Sequence, residues 1–252
     1  ANSIGVMNNK IKLSLIGGAL LTGSAFAGEV APQQASAPSF ESDVTVGYDS
    51  QYIFRGINQG NDLVTAALNT AWTCERTGLD MNAGAWYGTT GDTDGSVEEL
   101  DLTLGASKDL GFARVNAGYI FYHYLSDAAD AQEVYLGLSK DLACGTSASL
   151  TYFWDIQGDN DGYTELALAK SFDVAAKQLD LGVAVGYLAE EGQLSHLTAK
   201  LSHDVAISDT ATLTPYIAHS WELNDDADFG STSSATAQEN EFFAGASLSV
   251  SF

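Results

Sequence analysis

Apolar and polar side chains alternate along the last segment of the chain. The apolar positions are Phe242, Ala244, Ala246, Leu248, Val250 and Phe252. Apart from Phe243, the residues between them are small or polar. Since successive side chains of a β-strand point to opposite faces, this alternation predicts a strand with one apolar and one polar face.

The same alternation recurs along the chain and predicts twelve strands. They span roughly 41–55, 62–73, 79–89, 97–108, 112–124, 132–140, 146–156, 163–172, 178–188, 193–203, 210–221 and 238–252. Asp109, Asp141, Asp173 and Asp204 each follow the end of a strand, at intervals of 32, 32 and 31 residues. Two strands of ~10 residues, one short turn and one longer loop account for that interval.

An all-β fold follows from these strands, most simply a closed antiparallel transmembrane β-barrel of twelve strands. Its apolar face would meet lipid and its polar face a lumen, and closure is required because lipid cannot satisfy an open strand edge. Aromatic residues near strand ends would form girdles at the membrane interfaces: Trp72, Tyr87, Phe121, Trp154, Tyr187, Trp221 and Phe252. The alternative is a soluble β-sandwich, which twelve such strands and a terminal aromatic residue disfavour.

The N-terminal region predicts export. Lys10 and Lys12 precede a short apolar stretch, Leu13 to Leu21, and Ala25-Phe26-Ala27 resembles a cleavage site. We therefore expect an upstream extension and signal peptide over 1–27 and a flexible periplasmic lead-in over 28–39. The barrel would span 40–252, in the outer membrane of a Gram-negative bacterium.

The composition is strongly acidic, with 33 Asp and Glu against 10 Lys and Arg and a formal net charge of −23. Such a surface repels nucleic acid, which excludes that class of partner. The expected partners are outer-membrane lipid and lipopolysaccharide, small solutes and the barrel-assembly machinery. Phe252, at the end of the last strand, is the candidate assembly signal.

One segment resembles a known family. Residues 48–59 read Tyr-Asp-Ser-Gln-Tyr-Ile-Phe-Arg-Gly-Ile-Asn-Gln. This aromatic-rich strand leading into Arg-Gly and a nearby Gln is similar to the first strand of the TorF-like family of outer-membrane porins. Length, strand spacing and the C-terminal aromatic extend the resemblance loosely over 40–252. The resemblance implies a porin-like barrel and implies little about substrate.

Charged residues on the polar face form the candidate lumen site. The inward carboxylates are Asp43, Asp49, Glu99, Asp101, Glu133, Asp155, Glu165 and Asp180, and the inward cations are Arg55, Arg114 and Lys200. Acidic rings favour cations, and opposed rows of Arg and acid set a field across a constriction. This favours a channel for passive diffusion of small hydrophilic solutes with a cation preference, and Arg55 is the expected constriction residue. In the alternative these charges pair and plug the lumen, leaving a structural or adhesive barrel that acts through acidic loops.

Two acidic loops are candidate calcium sites, and two cysteines are candidates for a disulfide. Asp92, Asp94, Asp159 and Asp161 lie in similar Gly-Asp-rich segments that could hold Ca²⁺, although exposed turns use the same residue types. These loops could also attract divalent cations collectively. Cys74 and Cys144 fall in turns predicted at the same end of the barrel, where a disulfide requires Cα atoms within ~7 Å. No other cofactor is expected.

The histidines give no catalytic pattern. His219 and Ser220 are sequence neighbours, as are Ser195 and His196, and alternation predicts that such neighbours point to opposite faces. A nucleophile and its base must lie within hydrogen-bond reach. The sequence therefore predicts that the protein is not an enzyme.

Overall fold

The structure is a computed structural model that describes residues 40–92, 97–125, 128–143, 145–157, 162–175, 177–189, 191–224 and 239–252. The described part of the chain contains no helix that is long and apolar enough to cross a membrane. The predicted signal peptide and lead-in lie outside it.

Alternation of apolar and polar side chains produces thirteen strands in these ranges. They are β1 (Glu41–Phe54), β2 (Ile57–Cys74), β3 (Leu79–Thr89), β4 (Glu98–Asp109), β5 (Arg114–Tyr124), β6 (Ala131–Leu142), β7 (Thr146–Asp155), β8 (Tyr163–Val174), β9 (Lys177–Leu188), β10 (Gln193–Ser202), β11 (Val205–Ala206), β12 (Ala211–Glu222) and β13 (Glu241–Ser251).

Twelve of these strands form a closed antiparallel barrel. Neighbours in sequence pair from β1 to β10, β10 then pairs with β12, β12 with β13, and β13 with β1. The two-residue β11 pairs only with β12 and stands outside the ring. The predicted twelve-stranded barrel is thus confirmed, with one short strand added.

The outer surface of the barrel is apolar. Leu102 and Leu104 on β4, Leu136 and Leu138 on β6 and Leu166 on β8 are all exposed. Tyr87, Trp154, Tyr187 and Trp221 are also exposed and lie where their strands approach the longer loops. A continuous apolar surface of this extent marks a lipid-contacting face rather than a water-contacting one.

The two ends of the chain meet at the closing seam. Val44 pairs with Val250 and Val46 with Leu248 in the β1–β13 register. Beyond the last strand residue, the Phe252 amide donates to the Ser42 carbonyl at 2.9 Å, and the Phe252 side chain remains exposed. Its role as an assembly signal stays a prediction.

The first hairpin differs from the sequence expectation. The predicted loop between residues 55 and 62 is wrong, because β2 begins at Ile57 and only Arg55 and Gly56 form the turn. Both have positive φ, 50° and 83°, as a type I′ hairpin turn requires. β1 and β2 are therefore longer than a membrane crossing needs.

A cation on the outer surface tests the lipid-facing assignment. Leu104 is 52% exposed near the middle of β4, so Leu104→Arg should reduce the free energy of unfolding in lipid vesicles by about 2–4 kcal/mol. Phe112→Arg, at an exposed position in the β4–β5 turn, is the control and should change it far less. Equal tolerance of both substitutions would contradict a lipid-facing β4.

Candidate functional site: the lumen and the hairpin inside it

The tip of the first hairpin leaves the barrel wall. Pairing of β1 with β13 ends at Asp49, and pairing of β2 with β3 ends at Val64. The two strands nevertheless stay paired with each other as far as Phe54 and Ile57. Residues 50–63, here called the inner hairpin, have thus exchanged their wall neighbours for contacts inside the barrel.

Both faces of the inner hairpin are covered by side chains of the wall. The Tyr52 hydroxyl donates to Glu99 on β4 at 2.7 Å. On the other side, Ile53 packs against Ala218 and Phe243. The alternation that places Val44 and Val46 on the lipid face of β1 predicts the same face for Tyr52 and Phe54. That assignment is wrong, because the ribbon turns inward after Asp49 and both of its faces then lie in the lumen.

Arg55, at the tip, is held by an acid and three aromatic rings. Its Nη1 and Nη2 donate to Oε1 and Oε2 of Glu133 on β6, each at 2.7 Å. The guanidinium carbon lies 4.4 Å from the ring centroid of Tyr163 and 4.8 Å from those of Phe54 and Phe153. Two parallel hydrogen bonds to one carboxylate, together with cation–π contacts, are among the strongest interactions available to a guanidinium. The tip therefore occupies a defined position across the lumen.

The turn residue Gly56 lies directly against His196 on β10. A Cβ at Gly56 would come within 2.6 Å of the His196 side chain. Only glycine therefore fits this contact, in addition to the positive φ. Through Arg55 and Gly56, the tip touches the wall on β6, β7, β8 and β10.

Ser195 and His196 both point inward, contrary to the sequence argument. The β9–β10 register shifts between Leu194 and Leu197, so two residues face Gly186 alone. Such a bulge breaks the two-residue period and redirects a side chain. Ser195 Oγ and His196 Nδ1 are 3.0 Å apart. The expectation that adjacency keeps this pair apart is wrong.

This Ser–His pair does not form an accessible nucleophilic site. Both residues are 0% exposed and lie beneath the inner hairpin. Within the described residues, no hydrogen-bond partner reaches His196 Nε2. A nucleophile–base pair needs a group that orients the base and space for a substrate. The pair instead packs against the hairpin, with the His196 ring stacked on Tyr163.

An acidic pair lies beside the inner hairpin. Glu99 and Asp101, two residues apart on β4, are 3% and 1% exposed. Trp86 faces Asp101 across the β3–β4 pairing and is 1% exposed. At this level the lumen is filled by side chains of the hairpin and the wall.

Toward the short turns, the lumen is polar and less filled. Arg114 Nη1 donates to Asp80 Oδ2 at 2.7 Å and to Ser107 Oγ at 2.8 Å. Asp43 accepts from Asn69 Nδ2 at 3.1 Å. Many wall residues here are only half-buried: Thr45, Asn69, Asn82, Asn116, Ser139 and Ser249. This half has the polar lining of an aqueous passage.

The remaining predicted lumen residues lie between these two levels or near the mouth. Tyr216 donates to Asp49 and lies under Lys200, whose Nζ is 4.0 Å from the ring centroid. Glu165 is buried and accepts from the Tyr163 hydroxyl at 3.1 Å. Asp155 pairs in register with Glu133 and accepts from the Gln157 amide at 2.8 Å. Their roles in permeation stay predictions.

The calcium and disulfide predictions are only partly covered by the structure. Asp92 accepts from the backbone and side-chain nitrogens of Asn61 at 2.7 and 3.1 Å, and the backbone bond lowers the pKa of this carboxyl. Asp94, Asp159, Asp161 and Cys144 lie outside the described residues. The described ranges hold no cluster of three metal-ligating side chains. The Ca²⁺ site and the Cys74–Cys144 bridge therefore stay predictions.

Comparison with known proteins indicates the fold. No family model and no curated protein matches the sequence. The COG4313 outer membrane channel from Pseudomonas putida F1 is similar in structure, with a TM-score of 0.54 and 12% identity over 89% of this chain and 100% of that one. The fold is that of an outer-membrane β-barrel.

Two porin structures also match this barrel less closely. The KdgM porin has a TM-score of 0.49 and 9% identity over 83% of this chain and 99% of that one. The NanC porin has a TM-score of 0.47 and 13% identity over 83% and 98%.

Sequence reasoning missed Asp80, Trp86, Ser195 and His196 as lumen residues. Alternation on β3 predicts the first two, because Asp80 and Trp86 lie on the same face of the strand as Asn82 and Gly84. The β10 bulge had a weaker signal: Gly186, in the neighbouring strand, leaves the space that two inward side chains need. A Cβ at Gly186 would lie 2.5 Å from Ser195 Oγ and 2.6 Å from His196 Cε1.

Gly186→Ala tests the bulge. The added methyl group must displace both side chains from a packed interior, so the free energy of unfolding should fall by about 1–3 kcal/mol. Gly84→Ala is the matched control, because its Cβ would lie 3.0 Å from the Asn69 amide oxygen and 3.9 Å from its next neighbours, Leu68 O and Thr103 Cβ. Unfolding in denaturant, followed by loss of the heat-modifiable gel band, measures both. Equal stability of the two variants would contradict the bulge geometry.

Proposed function

We propose that this protein is an outer-membrane channel for passive diffusion of small hydrophilic solutes, whose passage is narrowed by the inner hairpin. The observation that carries the proposal is the reversal of polarity across the wall. Leucines cover the outside, whereas Asp, Asn, Ser, Thr and Arg line the inside toward the short turns. Lipid stabilises the leucine-covered outer surface, and only water or a polar solute suits the polar inner surface.

The TorF-like family of porins is the finer assignment that we propose. It rests on residues 48–59, which form the end of β1, the turn of the inner hairpin and the start of β2. Arg-Gly in that segment supplies the type I′ turn, and Tyr52 and Phe54 pack in the lumen, whereas Tyr48 is exposed on the outer surface. The segment that carries the family resemblance therefore also builds the constriction. We also propose the outer membrane as location, with the short turns toward the periplasm.

A cation preference is the second part of the proposal. Carboxylates outnumber cations on the inner wall: Asp43, Asp49, Asp80, Glu99, Asp101, Glu133, Glu165 and Asp180 face Arg55, Arg114 and Lys200. Arg55 and Arg114 each neutralise one acid in an ion pair. The remaining excess is negative, and a low-dielectric wall strengthens its field on a permeating ion.

A barrel that is closed and acts through its acidic outer loops is the rival function. Its supporting observation is the complete burial of Trp86, Asp101 and His196 beside the hairpin. In that reading the inner hairpin is a permanent plug. The two functions differ in whether ions pass when the hairpin is loosened.

Arg55→Ala separates the two functions. It removes the bidentate pair that holds the tip and leaves Glu133 as a buried charge without that partner, a change that costs about 3–5 kcal/mol in other proteins. In planar bilayers, we expect a low or intermittent wild-type conductance and a several-fold larger one in the variant. A heat-modifiable gel band confirms that the barrel is folded. Absence of current from both folded proteins would favour the plugged barrel.

Neutralising the inward acids tests the ion preference. Reversal potentials in a salt gradient should favour cations, more strongly at low salt, where screening is weaker. Asp49→Asn, Glu99→Gln and Asp101→Asn together should reduce this preference. Arg55→Ala should increase it, because a cation leaves the passage. An anion-selective wild-type channel would refute this part of the proposal.

A further inference from the structure

The contacts of Arg55 belong mainly to the wall rather than to the hairpin. Glu133 is on β6, Phe153 on β7, Tyr163 on β8 and Tyr122 on β5. We name these four residues the guanidinium socket. The Phe54 ring, which also lies against Arg55, belongs to the hairpin and would leave with it.

The socket has the features of a binding site built for a planar cation. The Glu133 carboxylate accepts both Arg55 nitrogens at 2.7 Å and the Tyr122 hydroxyl at 2.9 Å, which fixes its orientation. Tyr163 and Phe153 offer ring faces 4.4 and 4.8 Å from the guanidinium carbon. A carboxylate aligned for two parallel bonds between aromatic faces selects guanidinium over a spherical cation.

The surroundings favour entry of a cation and strengthen its binding. Glu133, Tyr122, Phe153 and Tyr163 are all buried, so an ion pair formed there is poorly screened by water. Glu99 and Asp101 on β4 place two further carboxyl groups at the same level of the lumen. A free guanidinium compound would thus meet an acidic passage that leads to a socket of matching shape.

We infer that the socket is a solute-binding site for compounds bearing a guanidinium group, and that Arg55 occupies it as an internal competitor. This inference rests on the proposed channel function and narrows it. A solute with such a group takes the place of Arg55 when the tip is displaced. Arg55 then closes the passage again when the solute leaves.

Guanidinium chloride added to Arg55→Ala tests the inference. Single-channel current through the variant is recorded in planar bilayers, with and without millimolar guanidinium. The ion should refill the vacated socket and lower the current about twofold or more, through the carboxylate and ring contacts that Arg55 makes. Urea at the same concentration is a neutral molecule of the same planar shape and should leave the current unchanged.

Two variants provide the matched controls. In Arg55→Ala with Glu133→Gln, the socket loses its charge but keeps its rings, and the guanidinium effect should disappear. Arg114→Ala removes a different lumen arginine, one paired with Asp80. It leaves Arg55 in the socket, so guanidinium should not reduce its current beyond the effect of added salt.

The possible outcomes separate this inference from the channel proposal. Block of Arg55→Ala by guanidinium but not urea, lost with Glu133→Gln, supports the socket. Current without such block overturns the socket and leaves the channel standing. If no folded variant conducts, the channel proposal fails, and thermal unfolding decides the socket. A guanidinium-dependent rise in the transition temperature of Arg55→Ala, absent in the double variant, supports it, and no rise overturns it.

Discussion

The structure depends on the rule that a strand edge in a membrane must be paired. The twelve-stranded ring satisfies it through the β10–β12 and β1–β13 pairings. Residues 50–63 depart from the ring, and the strand pairings of that ribbon with β13 and β3 end there, although the Asn61 carbonyl still accepts from the Gly91 amide at 2.9 Å. They do so inside the lumen, where Tyr52 binds Glu99, Gln51 binds Glu241 at 2.7 Å, and Arg55 binds Glu133. Irregular pairing at membrane depth is tolerated where protein rather than lipid surrounds it.

The ion pair between Arg55 and Glu133 determines where the inner hairpin lies in the lumen. Burying a carboxylate and a guanidinium is costly, and their attraction offsets the cost only with good geometry and further hydrogen bonds. Glu133 has both, since two parallel bonds from Arg55 and one from Tyr122 converge on it. If either partner is lost, the other remains as a charge in a poorly hydrated place. The hairpin therefore has one strongly preferred position, and displacement requires something that satisfies Glu133 equally well.

The sequence was sufficient to predict the strands of the barrel wall, but it did not predict how the lumen is filled. Alternation predicted the strands, their number and most inward residues, because the period of two is enforced wherever one face meets lipid. It failed for Tyr52 and Phe54, because the inner hairpin lies inside the lumen, where neither of its faces meets lipid. It failed again at Ser195 and His196, where a bulge places two residues opposite one. Arg-Gly is also not a usual signal for a two-residue turn, so the sequence predicts a longer loop at the tip.

The closing seam has a consequence for the order of folding. Thr45 and Ser249 meet across it although they are 204 positions apart in the chain, whereas Phe54 and Ile57 pair across a two-residue turn. Contacts between near neighbours form fast, and those that close long loops form late. The hairpin therefore takes shape as a ribbon before the wall closes around it. Enclosure, rather than insertion through a finished opening, is then how the tip comes to lie inside.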